Sequence, residues 1–386
     1  MASPLLAPRL AFSAAIAAGL ATAACSDDAG PSPNGNGDVG AADVGPAEPF
    51  PTPEWSAEAV VYEVFVRQFS EAGTLDAVTS SVADLQALGV NKLWLMPFQP
   101  IGEINRKGTI GSPYSIRDYT GIDPAAGTEE DFRELVDEVH GRGMHIIIDW
   151  VANHSAFDNP WAIEHPEWYR QDEQGNLLHP ANTDWTDVAD LTYEVPAQRE
   201  AMIDAMRYWV EDMDVDGFRC DVAGLVPSDF WRAAIEELRT IKPIVMLAEN
   251  SAFTIHDAGF DWSYPWPEFE VHVDLFNGFT AREWIERIEQ QLANLEDDEL
   301  RLRFTTNHDE TAFKGTPLEL FGGVAGAETA FVLVAALPGV PLLYNGQEVA
   351  SEDNTSLFEK DPIDFDQNPE VRAFYRRFLA VRAESE

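Results

Sequence analysis

Basic residues are scarce in this sequence: 25 lysines and arginines stand against 67 aspartates and glutamates, a formal net charge of −42. A surface of that sign repels polyanions, which excludes nucleic acid as a partner and leaves neutral polymers unaffected. Cysteine is scarcer, with only Cys25 and Cys220 in 386 residues. A chain this long can bury a sizeable core without disulfides. Cys220 reads as a small buried apolar side chain rather than a nucleophile. No regular metal-ligand spacing of His, Cys, Asp and Glu stands out, and nothing points to an organic cofactor.

What is present begins with a leader. Arg9 is the only charge among residues 1–24, and the apolar stretch 10–24 is too short to span a bilayer. It closes with Thr22-Ala23-Ala24 before Cys25, which resembles a bacterial lipoprotein box with Cys25 as the lipidated residue. Ordinary cleavage near Ala24, leaving a free thiol, is the alternative. The expectation is an exported cell-envelope lipoprotein, periplasmic or on the cell surface, and otherwise a secreted protein. It would touch the membrane only through the lipid anchor. Residues 25–54 are rich in Gly, Pro, Asp, Asn and Ala and read as a disordered tether.

From residue 55 to 386, short apolar runs alternate with amphipathic stretches. The runs are 60–69, 92–98, 145–151, 217–222, 244–250, 260–264, 301–306 and 341–344. The helical patterns are 75–88, 128–142, 196–213, 228–240, 280–295, 318–336 and 369–383. Continuous apolar runs suit parallel strands buried on both faces, and eight of them with intervening helices suggest an α/β fold, a (β/α)8 TIM barrel. An open doubly wound sheet fits the same pattern. The connection 152–195, with Trp161, Trp168, Tyr169 and Trp185, is too long for an ordinary loop and reads as a small inserted domain.

Carboxylates recur at the ends of these runs: Asp149 in HIIID, Asp221 in GFRCD, Glu249 in IVMLAE and Asp309 in LRFTTNHD. One such acid is more often a helix N-cap than a functional group. Four on four strands would converge at the C-terminal face of a barrel, where active sites sit. Convergent carboxylates suit glycoside hydrolysis, in which one acid protonates the leaving oxygen and another attacks or activates water. Arg219 lies two residues before Asp221, on the same strand face, and would keep Asp221 ionised. Glu249 follows an apolar run with no adjacent cation and is the better proton donor. His308 and His154 stand beside carboxylates and could bind hydroxyls. His140, His145, His165 and His256 read as structural. Trp262, Tyr264 and Trp266 either stack on sugars or pack the rim, and Trp94 and Trp150 read as core.

DWVANH (149–154), GFRCDVA (217–223), LAEN with Glu249, and TNHD (306–309) together resemble the four signature regions of the α-amylase family, glycoside hydrolase family 13. GSPYSIRDY (111–119), VADL (188–191) and PGVPLLYNGQE (338–348) are weaker matches. The resemblance implies Asp221 as nucleophile, Glu249 as acid then base, and Asp309 as stabiliser of the transition state. Arg219 would orient Asp221, while His154, His308, Asp149 and Tyr114 would line the subsite of the attacked sugar. Asn153 matches a position that often binds calcium, to which Asp184, Asp187 and Asp190 could add oxygens. The Gly- and Asp-rich ion loop of some relatives is replaced by residues 70–73. Members usually continue into an antiparallel β-domain. This sequence ends at Glu386, so either it stops short or this form dispenses with that domain.

The leading expectation is therefore retaining hydrolysis of α-1,4 bonds in an α-glucan or maltooligosaccharide. An exo-α-glucosidase or transglycosylase uses the same residues. A glucan-binding surface lipoprotein without activity would not need all three acids.

Overall fold

A computed structural model describes residue 51 and residues 53–296 and 299–385. The leader, Cys25 and the tether up to residue 50 lie outside the described residues. The strands are β1 (Val61–Val64), β2 (Lys92–Leu95), β3 (His145–Trp150), β4 (His154–Ala156), β5 (Val188–Asp190), β6 (Gly217–Cys220), β7 (Val245–Ala248), β8 (Trp262–Ser263), β9 (Leu300–Arg303) and β10 (Val340–Tyr344). Eight of them close into a barrel in the order β1-β10-β9-β8-β7-β6-β3-β2, with every neighbouring pair parallel. The open doubly wound sheet is thereby excluded. β4 and β5 pair antiparallel within the long third connection.

The helices are α1 (Leu75–Leu88), α2 (Glu129–Gly141), α3 (Pro160–Glu164), α4 (Pro196–Glu211), α5 (Ser228–Leu238), α6 (Trp266–Phe276), α7 (Ala281–Leu292), α8 (His308–Phe313), α9 (Pro317–Phe321), α10 (Val324–Ala335) and α11 (Pro369–Ser385). Helix α4 turns one stripe to the barrel, burying Met202, Ala205, Met206, Trp209 and Val210 at spacings of three or four. Capping boxes start α2 (Thr128 with Asp131) and α7 (Thr280 with Glu283). No described helix is long and apolar enough to cross a membrane.

Period-two alternation sorts the barrel interior into two levels. Val61, Trp94, Ile147, Val245, Leu247, Trp262, Leu302, Val340 and Leu342 form one buried apolar plug. Two residues further along the same strands come Glu63, Asp149 and Glu249, joined by Arg219 of β6. Gly217 opens β6 because any side chain there would collide with β7: an added Cβ would lie 1.9 Å from the Val245 carbonyl oxygen. The parallel strands could not then approach.

The sixth βα unit departs from the sequence expectation. Its strand is only Trp262–Ser263, and two helices follow instead of one. Residues 266–276 place apolar side chains at 269, 271, 273 and 275, a strand-like period, yet they fold as α6. Pro267, which needs no N–H partner in the first turn, starts it, and burial of Phe269, Val271 and His272 holds it. Trp262 and Tyr264 are fully buried, and Trp266 packs on Phe304 and Phe269, so these three rings serve packing.

Candidate active site

The C-terminal ends of β1, β3, β6 and β7, the loop after β2 and the start of α8 bring one group of side chains together. Arg219, fully buried, is its hub. Its Nη1 donates to Asp149 Oδ1 at 3.0 Å and to Asp221 Oδ1 at 3.1 Å. Its Nη2 lies 2.9 Å from Glu249 Oε2. Three carboxylates thus share the two terminal nitrogens of one guanidinium, Asp149 and Asp221 on Nη1 and Glu249 on Nη2. The rings of Trp94, Tyr264 and Tyr114 surround it at 5.2, 5.5 and 5.7 Å. Tyr114 O–H donates to Asp149 Oδ2 at 3.2 Å, and its oxygen lies 2.7 Å from His308 Nε2. His308 Nε2 lies 3.3 Å from Asp309 Oδ2. All of Tyr114, Asp149, His154, Arg219, Asp221, Glu249, His308 and Asp309 are in this assembly.

Local strain marks the edge of β6. Val222, directly after Asp221, has φ 37° and ψ 45°, a left-handed conformation rare for a β-branched residue. It turns the Val222 N–H onto Glu249 Oε2 at 2.8 Å.

The electrostatics separate the two central acids. Burial pushes Glu249 up to about 8; Arg219 opposes this, and the nearby Asp221 and Asp309 reinforce it. Sequence reasoning missed a cation here, since Arg219 touches Glu249 as well as Asp221. Burial and its acidic neighbours outweigh that cation, so the Glu249 pKa still rises. Burial likewise lifts Asp149 to about 7 against the pull of Arg219. Asp221 is held by Arg219 and faces His154, whose Nε2 is 4.0 Å from Asp221 Oδ2. Burial lowers the His154 pKa. Its Nδ1 accepts from Asn153 Nδ2 at 3.2 Å, which leaves the ring proton on Nε2, toward Asp221.

Asn153 thus orients His154, and the donors around it do not fit a calcium ion as they stand. Calcium takes six to eight oxygens. Asp187 Oδ1 is 3.3 Å from Lys107 Nζ, and the same ammonium donates to the Asp184 carbonyl at 2.7 Å. Asp190 pairs with Arg170 at 2.9 Å. Among the described residues, no group of three or more His, Cys, Asp or Glu is arranged to hold a metal. Asp187 and Asp190 are thus countered by cationic side chains.

Two participants escaped the sequence. Glu63 of β1 bonds His308 Nδ1 at 2.5 Å, and Trp94 donates its indole N–H to Asp149 Oδ2 at 3.2 Å. A lone carboxylate inside the apolar run VVYEVFV was a usable signal for Glu63. Its place inside the strand, rather than at the strand's end, sets it apart from the other acids. His140 and His145 lie away from this group, His140 pairing with Asp216 at 2.7 Å and His145 stacking on Trp55 at 4.0 Å.

Comparison with known proteins agrees with this architecture. The family model described as the alpha amylase catalytic domain matches residues 63–258. An α-amylase structure from Lactobacillus plantarum has a TM-score of 0.80 and 34% identity, covering 85% of this chain and 80% of that one. A maltogenic α-amylase structure from Thermotoga neapolitana has a TM-score of 0.79 and 33% identity, covering 85% and 77%. An α-amylase from Haloarcula japonica is 30% identical over 324 residues, which are 80% of this chain and 46% of that protein. The chain therefore spans about half the length of that curated relative.

Proposed function

The chain belongs to the α-amylase family of glycoside hydrolases, and on that premise we propose that it cleaves α-1,4-glucosidic bonds of starch-like glucans with retention, through a covalent glycosyl-enzyme. The observation that carries this is the sharing of one guanidinium by Asp221 and Glu249, with the proton kept on Glu249. The sugar to be cleaved rests against Tyr114. Glu249 gives its proton to the glycosidic oxygen as the C1–O bond breaks, and an Asp221 oxygen forms the new bond to C1. Glu249, now a carboxylate, takes a proton from water. That water's oxygen attacks C1 and releases Asp221, so one water is consumed and both residues are restored. Asp309 and His308 bind ring hydroxyls and strengthen those contacts as positive charge builds on the ring.

One feature favours a second reading, exo-action on short maltooligosaccharides. The loop that carries Tyr114 is tied to segment 356–361: Thr109 N–H bonds Glu359 Oε1 at 2.8 Å and Ile110 N–H bonds the Phe358 carbonyl at 3.2 Å. The wall behind Tyr114 is thus continuous, and the related Thermotoga protein is described as maltogenic. Product analysis on amylose, pullulan and maltotriose decides between the two. Mixed maltooligosaccharides from amylose support endo-action, whereas glucose or maltose alone supports the second reading. Longer transfer products support the transglycosylase form of that reading, and neither reducing ends nor transfer products sinks both and leaves a glucan-binding protein. Export and lipidation at Cys25 belong to the same proposal and draw their support from the sequence alone.

Glu249 must hold its proton to act, and its pKa is pushed up to about 8. We expect kcat/KM on soluble starch to be level through neutrality and to fall about tenfold per pH unit above pH 8. An alkaline limb that begins below pH 6 would contradict the assignment.

The proposal has Lys107, not calcium, fastening the third connection to the loop after β2. Exhaustive chelation should leave Tm and activity unchanged. Lys107→Met, which leaves Asp187 without its cation, should lower stability by about 1 kcal/mol. A Tm that drops with chelator and recovers with calcium alone would reverse this.

A further inference from the structure

We infer that Glu63, in the first barrel strand, is a positioning residue for the reaction: it fixes the His308 ring and holds it in the doubly protonated form, so that His308 presents an N–H to the sugar. The inference deepens the hydrolytic reading and rests on it for its kinetic consequences.

The argument begins with place. Glu63 is fully buried, and in the barrel register it lies between Trp94 of β2 and Tyr344 of β10. Burial raises the Glu63 pKa there, and only a nearby cation opposes that rise. The answering group is His308: Glu63 Oε1 is 2.5 Å from His308 Nδ1, and Glu63 Oε2 has no protein partner. Nothing in the hydrolytic steps uses Glu63 directly, and it touches none of Asp221, Glu249 or Arg219 by hydrogen bond.

Proton bookkeeping on the ring follows from its partners. An ionised carboxylate only accepts. Glu63 at Nδ1 therefore requires a hydrogen there. On the other side of the ring, Asp309 Oδ2 lies 3.3 Å from Nε2. A second carboxylate makes the same demand of Nε2. The Tyr114 hydroxyl, 2.7 Å from Nε2, can accept that hydrogen while passing its own to Asp149 Oδ2. Both ring nitrogens are then donors, and His308 is an imidazolium. The charged and titratable groups around it are Glu63 from β1, Asp149 from β3, Arg219 from β6, Asp309 from α8 and Tyr114 from the loop after β2. Burial alone would strip the proton from the ring, but Asp309 and Glu63 outweigh it and lift His308 to about 9.

The consequence concerns which hydrogen faces the sugar. A neutral histidine carries one hydrogen on either nitrogen, and half of those choices leave Nε2 a bare acceptor. Glu63 removes the ambiguity. Among the described residues it is the one hydrogen-bond partner of Nδ1, so it sets the ring's angle and keeps Nε2–H pointed at Tyr114 and Asp309, where the cleaved sugar binds.

The test compares Glu63→Gln, His308→Gln and the double variant on soluble starch from pH 5 to 9, with Tm for each. Glutamine keeps the shape of Glu63 and lacks its charge. We expect Glu63→Gln to lose about 30-fold in kcat/KM at pH 8 and to recover to within a few-fold of wild type at pH 5.5, where the ring regains its proton unaided. His308→Gln should lose activity evenly across pH, and adding Glu63→Gln to it should change kcat/KM by less than twofold. A pH-independent loss in Glu63→Gln, or a full additional loss in the double variant, overturns the inference. Should Glu63→Gln not fold, Glu63→Asp keeps the charge on a shorter arm and should retain the wild-type pH profile; a profile shifted to lower pH would overturn the inference. Nitrogen NMR of labelled histidine reads the ring directly, with both His308 nitrogens protonated at pH 7.5 in wild type and not in Glu63→Gln. That readout stands even if starch proves not to be the substrate, so failure of the hydrolytic reading and failure of this inference are told apart.

Discussion

Asp221→Asn is expected to fold like the wild type and to lose turnover on soluble starch by on the order of 10⁴-fold or more. The amide has the shape of the carboxylate and keeps an oxygen for Arg219 Nη1, which the carboxylate accepts from at 3.1 Å. Arg219 also retains Asp149, at 3.0 Å, so no buried cation is orphaned. The stability change should therefore stay within about 1 kcal/mol. Chemistry is another matter. An amide oxygen is a poor nucleophile towards C1, and the glycosyl-enzyme cannot form. Binding should survive, because Tyr114, His308 and Asp309 are untouched. The check is reducing-sugar release against Tm, with KM for any residual activity. Turnover near the wild-type level with a normal Tm would remove Asp221 from the reaction, and with it the whole assignment.

Legibility in the sequence followed the physics of each position. Asp221, Glu249 and Asp309 could be read because each follows a buried strand where the chain reaches the barrel mouth. Arg219 could be read from period two along β6. Its contact with Glu249 could not, since that depends on which strand lies next to β6 in the closed ring. The same gap hid the neighbourhood of Asp149 and Arg219, which face each other across β3 and β6. Glu63 was legible in principle, as a charge in an apolar run, but only to a search of strand interiors. Helix α6 was illegible because its apolar spacing is that of a strand and tertiary packing overrode it. Around Asn153 the sequence showed oxygens but not the cations, Lys107 and Arg170, that reach them from other parts of the chain.

Arg219→Met should do more damage to the molecule than loss of any single acid, and its pH dependence has a definite sign. Methionine fills much of the volume and pairs with nothing, so Asp149, Asp221 and Glu249 lose their common cation at once. Removing one partner of a buried ion pair typically destabilises by about 3–5 kcal/mol. Burial already lifts Asp149 to about 7 and Glu249 to about 8 against the pull of Arg219, and without that cation both rise further above the values of the unfolded chain. The folded protein then binds more protons than the unfolded one, and stability falls as pH rises through that interval. The Tm deficit of Arg219→Met should therefore be small near pH 4 and grow steadily to pH 8. Activity should vanish at neutral pH as well, because Asp221 loses the guanidinium that holds it in place. Arg219→Lys separates charge from geometry. One ammonium cannot hold Asp221 and Glu249 on two nitrogens, so most of the stability should return while kcat stays at least 100-fold low, an estimate scaled to loss of a positioned electrostatic contact. Full recovery of kcat by lysine would mean that the site needs only a positive charge there, and the sharing of one guanidinium by nucleophile and acid would carry no weight.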